Sequence, residues 1–190
     1  MEKFGTLGDV ARRIRKLLED ACAVEHYLND NNSQFARRTY IRSTFAYMEG
    51  TIWILKQLII QVVSQSKAVT NPLQLLSLAE LALLSDISYN LKENGEPYEQ
   101  PKFLPMQKNL RLTVNVFNRL IHSSIDLQTN STIWNRFNQI IQVRNRITHP
   151  KNVGDIDITD EEIQHAIEVC NWFNGISENC IEAFHNSFKK

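Results

Sequence analysis

Apolar residues recur every three or four positions along nearly the whole chain, with charged residues on the faces between them. That periodicity predicts helices. Leu7, Val10, Ile14, Leu17, Ala21, Val24 and Leu28 form a first stripe, and Arg12, Arg13, Lys16 and Glu19 fall elsewhere. The cluster Asn29-Asp30-Asn31-Asn32-Ser33 ends this helix and offers caps to the next. A second helix, about 34 to 66, carries Ile41, Phe45, Met48, Ile52, Leu55, Ile59 and Val62 close to a heptad seam. So long an apolar helix belongs at the centre of a bundle.

Asn71-Pro72 predicts a third helix start, with Asn as the cap and Pro at the first helical position. Leu73, Leu76, Ala79, Leu83 and Ile87 then share a face. Gly95, Pro97, Pro101 and Pro105 predict an extended loop over about 93 to 104. A fourth helix follows, about 106 to 122. Thr129-Asn130-Ser131 turns the chain into a fifth, about 132 to 148, with Ile133, Phe137, Ile140, Ile141 and Ile147 as its apolar set. Pro150 cannot continue that helix, and it restricts His149 away from helical dihedrals. After a short polar loop, Thr159-x-x-Glu162 reads as a capping box that opens a last helix, to about 186. Its stripe is Ile163, Ile167, Cys170, Phe173, Ile176, Cys180 and Phe184. There is no βαβ alternation, no Gly-rich phosphate loop and no repeat period. The expected fold is all-α: an antiparallel bundle of five or six helices in a single domain covering 1–190.

Composition narrows the function classes. A hydrophobic content of 43% in 190 residues suffices for one substantial core. Lys+Arg and Asp+Glu each number 21, which argues against broad nonspecific binding to nucleic acid or anionic membrane but leaves room for a local basic cleft. Three cysteines (Cys22, Cys170 and Cys180) without CxxC spacing suit a reducing compartment. The first residues lack the apolar core of a signal peptide. The greasiest run, 52 to 63, is interrupted by Lys56, Gln57 and Gln61 and is too short to span a bilayer. A cytoplasmic protein without membrane attachment is expected.

The five histidines form no HxxxH pair and no ExxH motif, so neither a metal site nor another cofactor is expected. Cys22 and His26 stand one helical turn apart. They read as a buried small cysteine beside a surface histidine rather than a catalytic pair.

The chemistry concentrates in Arg144-Asn145-Arg146-Ile147-Thr148-His149-Pro150. Arg144 carries a permanent planar cation suited to phosphate oxygens. His149 exchanges a proton near neutrality, and Asn145 adds an uncharged donor and acceptor. Arg144 and His149 diverge on an intact helix, so both face one cleft only if the helix ends near Thr148. The other reading of the same residues is a structural cap, because cations stabilise the last carbonyls of a helix.

Arg144-Asn145-x-x-x-His149 resembles the Arg-Asn-x-x-x-His signature of the HEPN superfamily, all-α domains in prokaryotic toxins, abortive-infection systems and several eukaryotic ribonucleases. The placement is similar too: the motif ends a late helix and one more helix follows. The likeness covers about 33 to 184 in architecture and is sharp at 144 to 149. It implies a homodimer that cuts single-stranded RNA without a metal, with the ribose 2′-hydroxyl as nucleophile, in a toxin–antitoxin or antiviral defence setting. An antitoxin or other defence-system partner protein would then be its companion. Carried over, His149 is the general acid/base, Arg144 binds the scissile phosphate, and Asn145 orients the histidine or the phosphate. Some members carry a tyrosine two residues after the histidine, where a nucleotidyltransferase adds AMP. Here Lys151 stands at that position, so that acceptor is missing.

Supporting residues have two readings each. Lys151 is either an RNA phosphate contact or solvated. Arg37, Arg38 and Arg42 form either an RNA-backbone groove or a solvated helix face. Glu49, one turn from Phe45 and Trp53, either orients the arginine–histidine site or pairs with a nearby lysine. Trp53, Trp134 and Trp172 read as core rather than as base-stacking platforms. Two rivals to the enzyme are a noncatalytic HEPN-like scaffold for a nucleotide or protein, and a plain structural bundle.

Overall fold

The protein was analysed as a computed structural model, which describes residues 7–65 and 75–187. Among these residues, six α-helices and one two-stranded ribbon occur in the order α1 (Leu7–Asp30), α2 (Gln34–Gln65), α3 (Leu78–Leu84), β1 (Ile87–Leu91), β2 (Pro97–Pro101), α4 (Met106–Ile121), α5 (Thr132–Thr148) and α6 (Asp160–Ser187). A 3-10 turn, Val153–Ile156, lies between α5 and α6. The fold is all-α.

Local chemistry sets most helix ends. The Asn-rich cluster separates α1 from α2 as expected, and Ser33 Oγ accepts from the Ala36 N–H at 3.2 Å, capping α2. The Thr159–Glu162 box also forms: Glu162 N–H donates to Thr159 Oγ1 at 3.2 Å, and Thr159 N–H donates to the Glu162 carboxylate at 2.9 Å. Ser131 caps α5 through the Trp134 N–H.

The apolar stripes bury as their spacing predicts. Val10, Ile14, Ala21 and Leu28 of α1 meet α2, whose Ile41, Phe45, Met48, Ile52, Leu55 and Ile59 are all core. Gly50 permits close approach there, since a Cβ at that position would lie 2.7 Å from Leu17 Cδ1. The central place expected for α2 is observed: it packs against each of the other five helices. A buried polar tie joins it to α6, where the Tyr47 hydroxyl reaches Ser177 Oγ at 3.0 Å and donates to Asn174 Oδ1 at 3.1 Å. Phe137, Trp134 and Trp172 cluster between α5 and α6, with Trp134 edge to face against each of the other two and Phe137 tilted against Trp172.

The chain departs from expectation between α2 and α4. The start at Asn71-Pro72 falls outside the described residues. The helix within them is only seven residues long and is opened by Ser77 and Glu80 in a reciprocal capping box. Leu84 is buried rather than Leu83, and Ala79 is exposed. Ile87 does not continue this helix. It begins β1, which pairs antiparallel with β2 in the register Ile87↔Pro101 through Leu91↔Pro97. Part of the expected loop is therefore a strand, and Gly95, at φ 83°, makes the turn between the two. Prolines at both ends of β2 are tolerated because the ribbon has free edges.

Candidate functional site

Helix α5 ends where Pro150 requires. His149 is its C-cap, at φ −129° and ψ 63°, and its backbone N–H still donates to the Asn145 carbonyl at 3.0 Å. Ile147, 2% exposed, anchors this last turn in the core. Arg42 reaches over from α2 and donates from Nη2 to the Ile147 carbonyl at 3.2 Å, satisfying one of the orphan acceptors of the helix end. Arg38 does the same for the Ile156 carbonyl at 3.2 Å, and Arg37 donates to the Ile158 carbonyl at 2.7 Å and pairs with Asp160. The basic patch at the start of α2 therefore has carbonyl partners that hold the α5–α6 connection in place.

Arg144 leaves the same helix turn in another direction. Its Nη2 donates to Glu49 Oε1 on α2 at 2.9 Å, its Nη1 donates to Asn145 Oδ1 at 3.3 Å, and its guanidinium carbon lies 5.8 Å from the centre of the Phe45 ring. These bonds engage two of the five donors of a guanidinium. The pair is open to solvent, with side-chain exposures of 33% for Arg144 and 50% for Glu49. Glu49 thus pairs with the arginine of the motif rather than with a lysine. The Asn145 side chain accepts from that arginine, and its backbone carbonyl accepts from the His149 N–H.

Arg144, Asn145 and Glu49 line one side of a cleft of about 650 Å³ between α2, α4, α5 and the end of the ribbon. His149 is exposed and is not among the lining residues. Lys151 is exposed as well; its backbone N–H donates to Asp155 Oδ2 at 2.8 Å. Within one chain the fold unites arginine, asparagine and glutamate, and it leaves the histidine outside their cleft.

The far side of the cleft holds charged residues that the sequence did not single out. Lys56 is fully buried, and its Nζ donates to Asp86 Oδ1 at 2.5 Å and to Asn109 Oδ1 at 3.1 Å. Asp86 adopts φ 54° directly after α3. Such a left-handed position is open to glycine, asparagine and aspartate more than to other residues, and here the aspartate side chain meets Lys56. One clue was visible: a single lysine inside the apolar run 52–63. Trp53 corrects a second reading. It is 47% exposed and lines the cleft, whereas Trp134, at 5%, is core.

Cys22 is exposed rather than buried. Residual desolvation, together with Glu25 and Glu19, raises its thiol above the ordinary value, the opposite of what an activated nucleophile needs. Cys170 and Cys180 are buried and free, and burial pushes them up to about 11 and about 12. Among the described residues, no group of three or more His, Cys, Asp or Glu is placed to hold a metal ion, and no helix is long and apolar enough to cross a membrane. No family model, curated protein or solved structure matches this chain.

Proposed function

We propose that the chain is a metal-independent endoribonuclease of HEPN type, acting as a homodimer in a toxin or phage-defence setting. One observation carries the reading: Arg144 of the Arg144-Asn145-x-x-x-His149 motif is held at the edge of a cleft by Glu49, Asn145 and Phe45, while His149 stands exposed at the end of the same helix. The guanidinium is oriented yet accessible, as a phosphate clamp must be.

In the reaction, the ribose 2′-oxygen attacks the adjacent phosphorus as the bond from phosphorus to the 5′-oxygen breaks. The products are a 2′,3′-cyclic phosphate and a 5′-hydroxyl. One proton leaves the 2′-hydroxyl and one is delivered to the departing 5′-oxygen, and His149 is suited to either transfer. Separate acid and base need two such groups, and a second copy of the chain supplies the other. A second copy also answers the separation of His149 from the cleft lining, because a histidine at an exposed helix end is available to a neighbouring chain.

That same separation favours a second reading, a noncatalytic scaffold that binds a nucleotide or a protein partner. The test is incubation of wild type, His149→Ala and Arg144→Ala with several RNAs, including tRNA, in EDTA. The ribonuclease reading expects cleavage ending in cyclic phosphate for wild type and at least a hundredfold less for each variant. An inert wild type, or variants that cut equally well, overturns it.

A further inference from the structure

We propose that the cleft running from Arg144 to Lys56 is a nucleobase subsite, which seats the base of the nucleotide whose phosphate Arg144 holds. The phosphate end rests on the ribonuclease reading. The base end stands on its own geometry.

Phe45, Glu49, Ile52, Trp53 and Lys56 lie on one face of α2. Glu49 and Lys56 are seven residues apart, so the two polar ends of the cleft are separated by roughly 10 Å of helix at 1.5 Å per residue. A mononucleotide has that length, with a phosphate at one end and a base edge at the other. The cavity, about 650 Å³, is of the size that small ligands occupy.

Exposed aromatics line the same cleft. Trp53 is 47% exposed and Phe103 is 83% exposed, and both line the cleft. An aromatic ring left so open at the edge of a polar cleft is a platform on which a base can stack. The ribbon puts Phe103 there. The Lys102 N–H donates to the Asp86 carbonyl at 2.8 Å, so the residue after Lys102 must emerge beside Asp86, and Pro105 then starts α4.

The far end has the groups to read an edge. Lys56 Nζ takes Oδ1 of both Asp86 and Asn109. That leaves the carboxylate Oδ2 of Asp86 as an acceptor and the amide Nδ2 of Asn109 as a donor. Asp86 keeps a side-chain exposure of 30%, so its carboxylate meets solvent in the cleft. An acceptor beside a donor complements the planar donor–acceptor edge that every nucleobase carries. The buried ammonium fixes the arrangement: it compels the Asn109 oxygen to face Lys56, which fixes the amide orientation.

The test is calorimetric binding of AMP, GMP, CMP, UMP and ribose 5-phosphate to the full chain as wild type, Phe103→Ala and Asp86→Asn. Phe103 is so exposed that its truncation leaves the core untouched, and asparagine tolerates the left-handed backbone at position 86. Melting curves verify that both variants fold. At least one nucleotide is expected to bind wild type about 5- to 150-fold more tightly than ribose 5-phosphate, the range that base–aromatic stacking confers. Phe103→Ala is expected to remove most of that margin, and Asp86→Asn, which changes the acceptor Oδ2, to shrink it and alter which base is preferred. The subsite is overturned if ribose 5-phosphate binds as well as all four nucleotides, or if Phe103→Ala keeps the full margin. A margin that Phe103→Ala removes, in a protein that cuts no RNA, upholds the subsite and ends the ribonuclease reading. RNA cleavage without any margin does the reverse.

Discussion

The two ends of the cleft are both ion pairs anchored on α2, one turn of helix on either side of Trp53, yet they are built in opposite ways. At one end Arg144 and Glu49 share solvent, with side-chain exposures of 33% and 50%. At the other Lys56 is fully buried, and its partner Asp86 takes a left-handed backbone to reach it. An exposed pair adds little to stability, about 0 to 1 kcal/mol, and its charges stay available to a ligand. A buried pair holds its elements together because breaking it strands a charge in the core. One end is therefore suited to exchange partners with a substrate, and the other to fix the wall against which a substrate lies.

The sharpest way to break this contrast is to remove Asp86. Asp86→Ala leaves the Lys56 ammonium buried with only Asn109 as a partner, and alanine resists the φ of 54°. The expected loss is about 3 to 5 kcal/mol, read as a shifted denaturant midpoint. Lys56→Met in the same background should restore much of it, since the stranded charge is gone. A loss under about 1 kcal/mol for Asp86→Ala would mean that the buried end is no more structural than the exposed one.

Arg144→Ala tests the other end and should split the two readouts. Stability should change by no more than about 1 kcal/mol. On the ribonuclease reading, activity should fall by about 10²- to 10³-fold, the cost of losing one charge-stabilising group from a phosphate transition state. If stability and activity fall together, Arg144 acts as a structural strut and the contrast between the two ends is lost. Glu49→Gln is a milder probe of the same end. The amide still accepts a hydrogen bond from Arg144 but removes the opposing charge. On the ribonuclease reading Glu49 is a positioning residue, so Glu49→Gln should keep most of the activity while Glu49→Ala loses more. Equal losses in the two variants would assign Glu49 a role through its charge instead.

The exposed end was legible in the sequence and the buried end was not, for physical reasons. Arg144, Asn145 and His149 lie within six consecutive residues, and Pro150 marks where their helix stops. Short-range rules suffice for that. The Thr159–Glu162 capping box and the stripes of α1, α2, α5 and α6 were legible on the same grounds. Lys56, Asp86 and Asn109 come from three separated segments that only the tertiary fold unites. Lys56 looked like a break in an apolar run because a lysine is rarely buried without a partner, and its partner was hidden. The partner was hidden because Leu76, Leu83 and Ile87 keep a helical spacing past the point where the backbone turns at Asp86. The ribbon that follows buries too little apolar surface to show an alternating pattern. The sequence places Trp53 on an apolar face, yet it lies on the side of α2 that the cleft leaves open.

A third ion pair connects the two cases and gives the smallest effect. Glu80, in the first turn of α3, accepts from Arg119 Nη1 of α4 at 2.8 Å and from the Ser77 N–H at 2.9 Å. The Arg119 hydrogen bond first of all, opposed by desolvation and helped by the two Ser77 bonds, holds its carboxyl down at about 2 instead of its ordinary 4.5. Between those two values the unfolded chain binds a proton at Glu80 that the folded chain does not. Stability from this group is therefore fully present above about pH 4.5 and is lost as pH falls toward 2. Because α3 leads directly into Asp86, this latch supports the buried end of the cleft while itself resembling the exposed one. Glu80→Gln should flatten the dependence of Tm on pH between 5 and 2 relative to wild type, with a small loss at neutral pH. Solvent screening keeps the whole effect below that of Asp86→Ala. Parallel Tm profiles for wild type and Glu80→Gln across that window would show that the latch carries no stability. The strained aspartate would then be held by Lys56 and the ribbon alone.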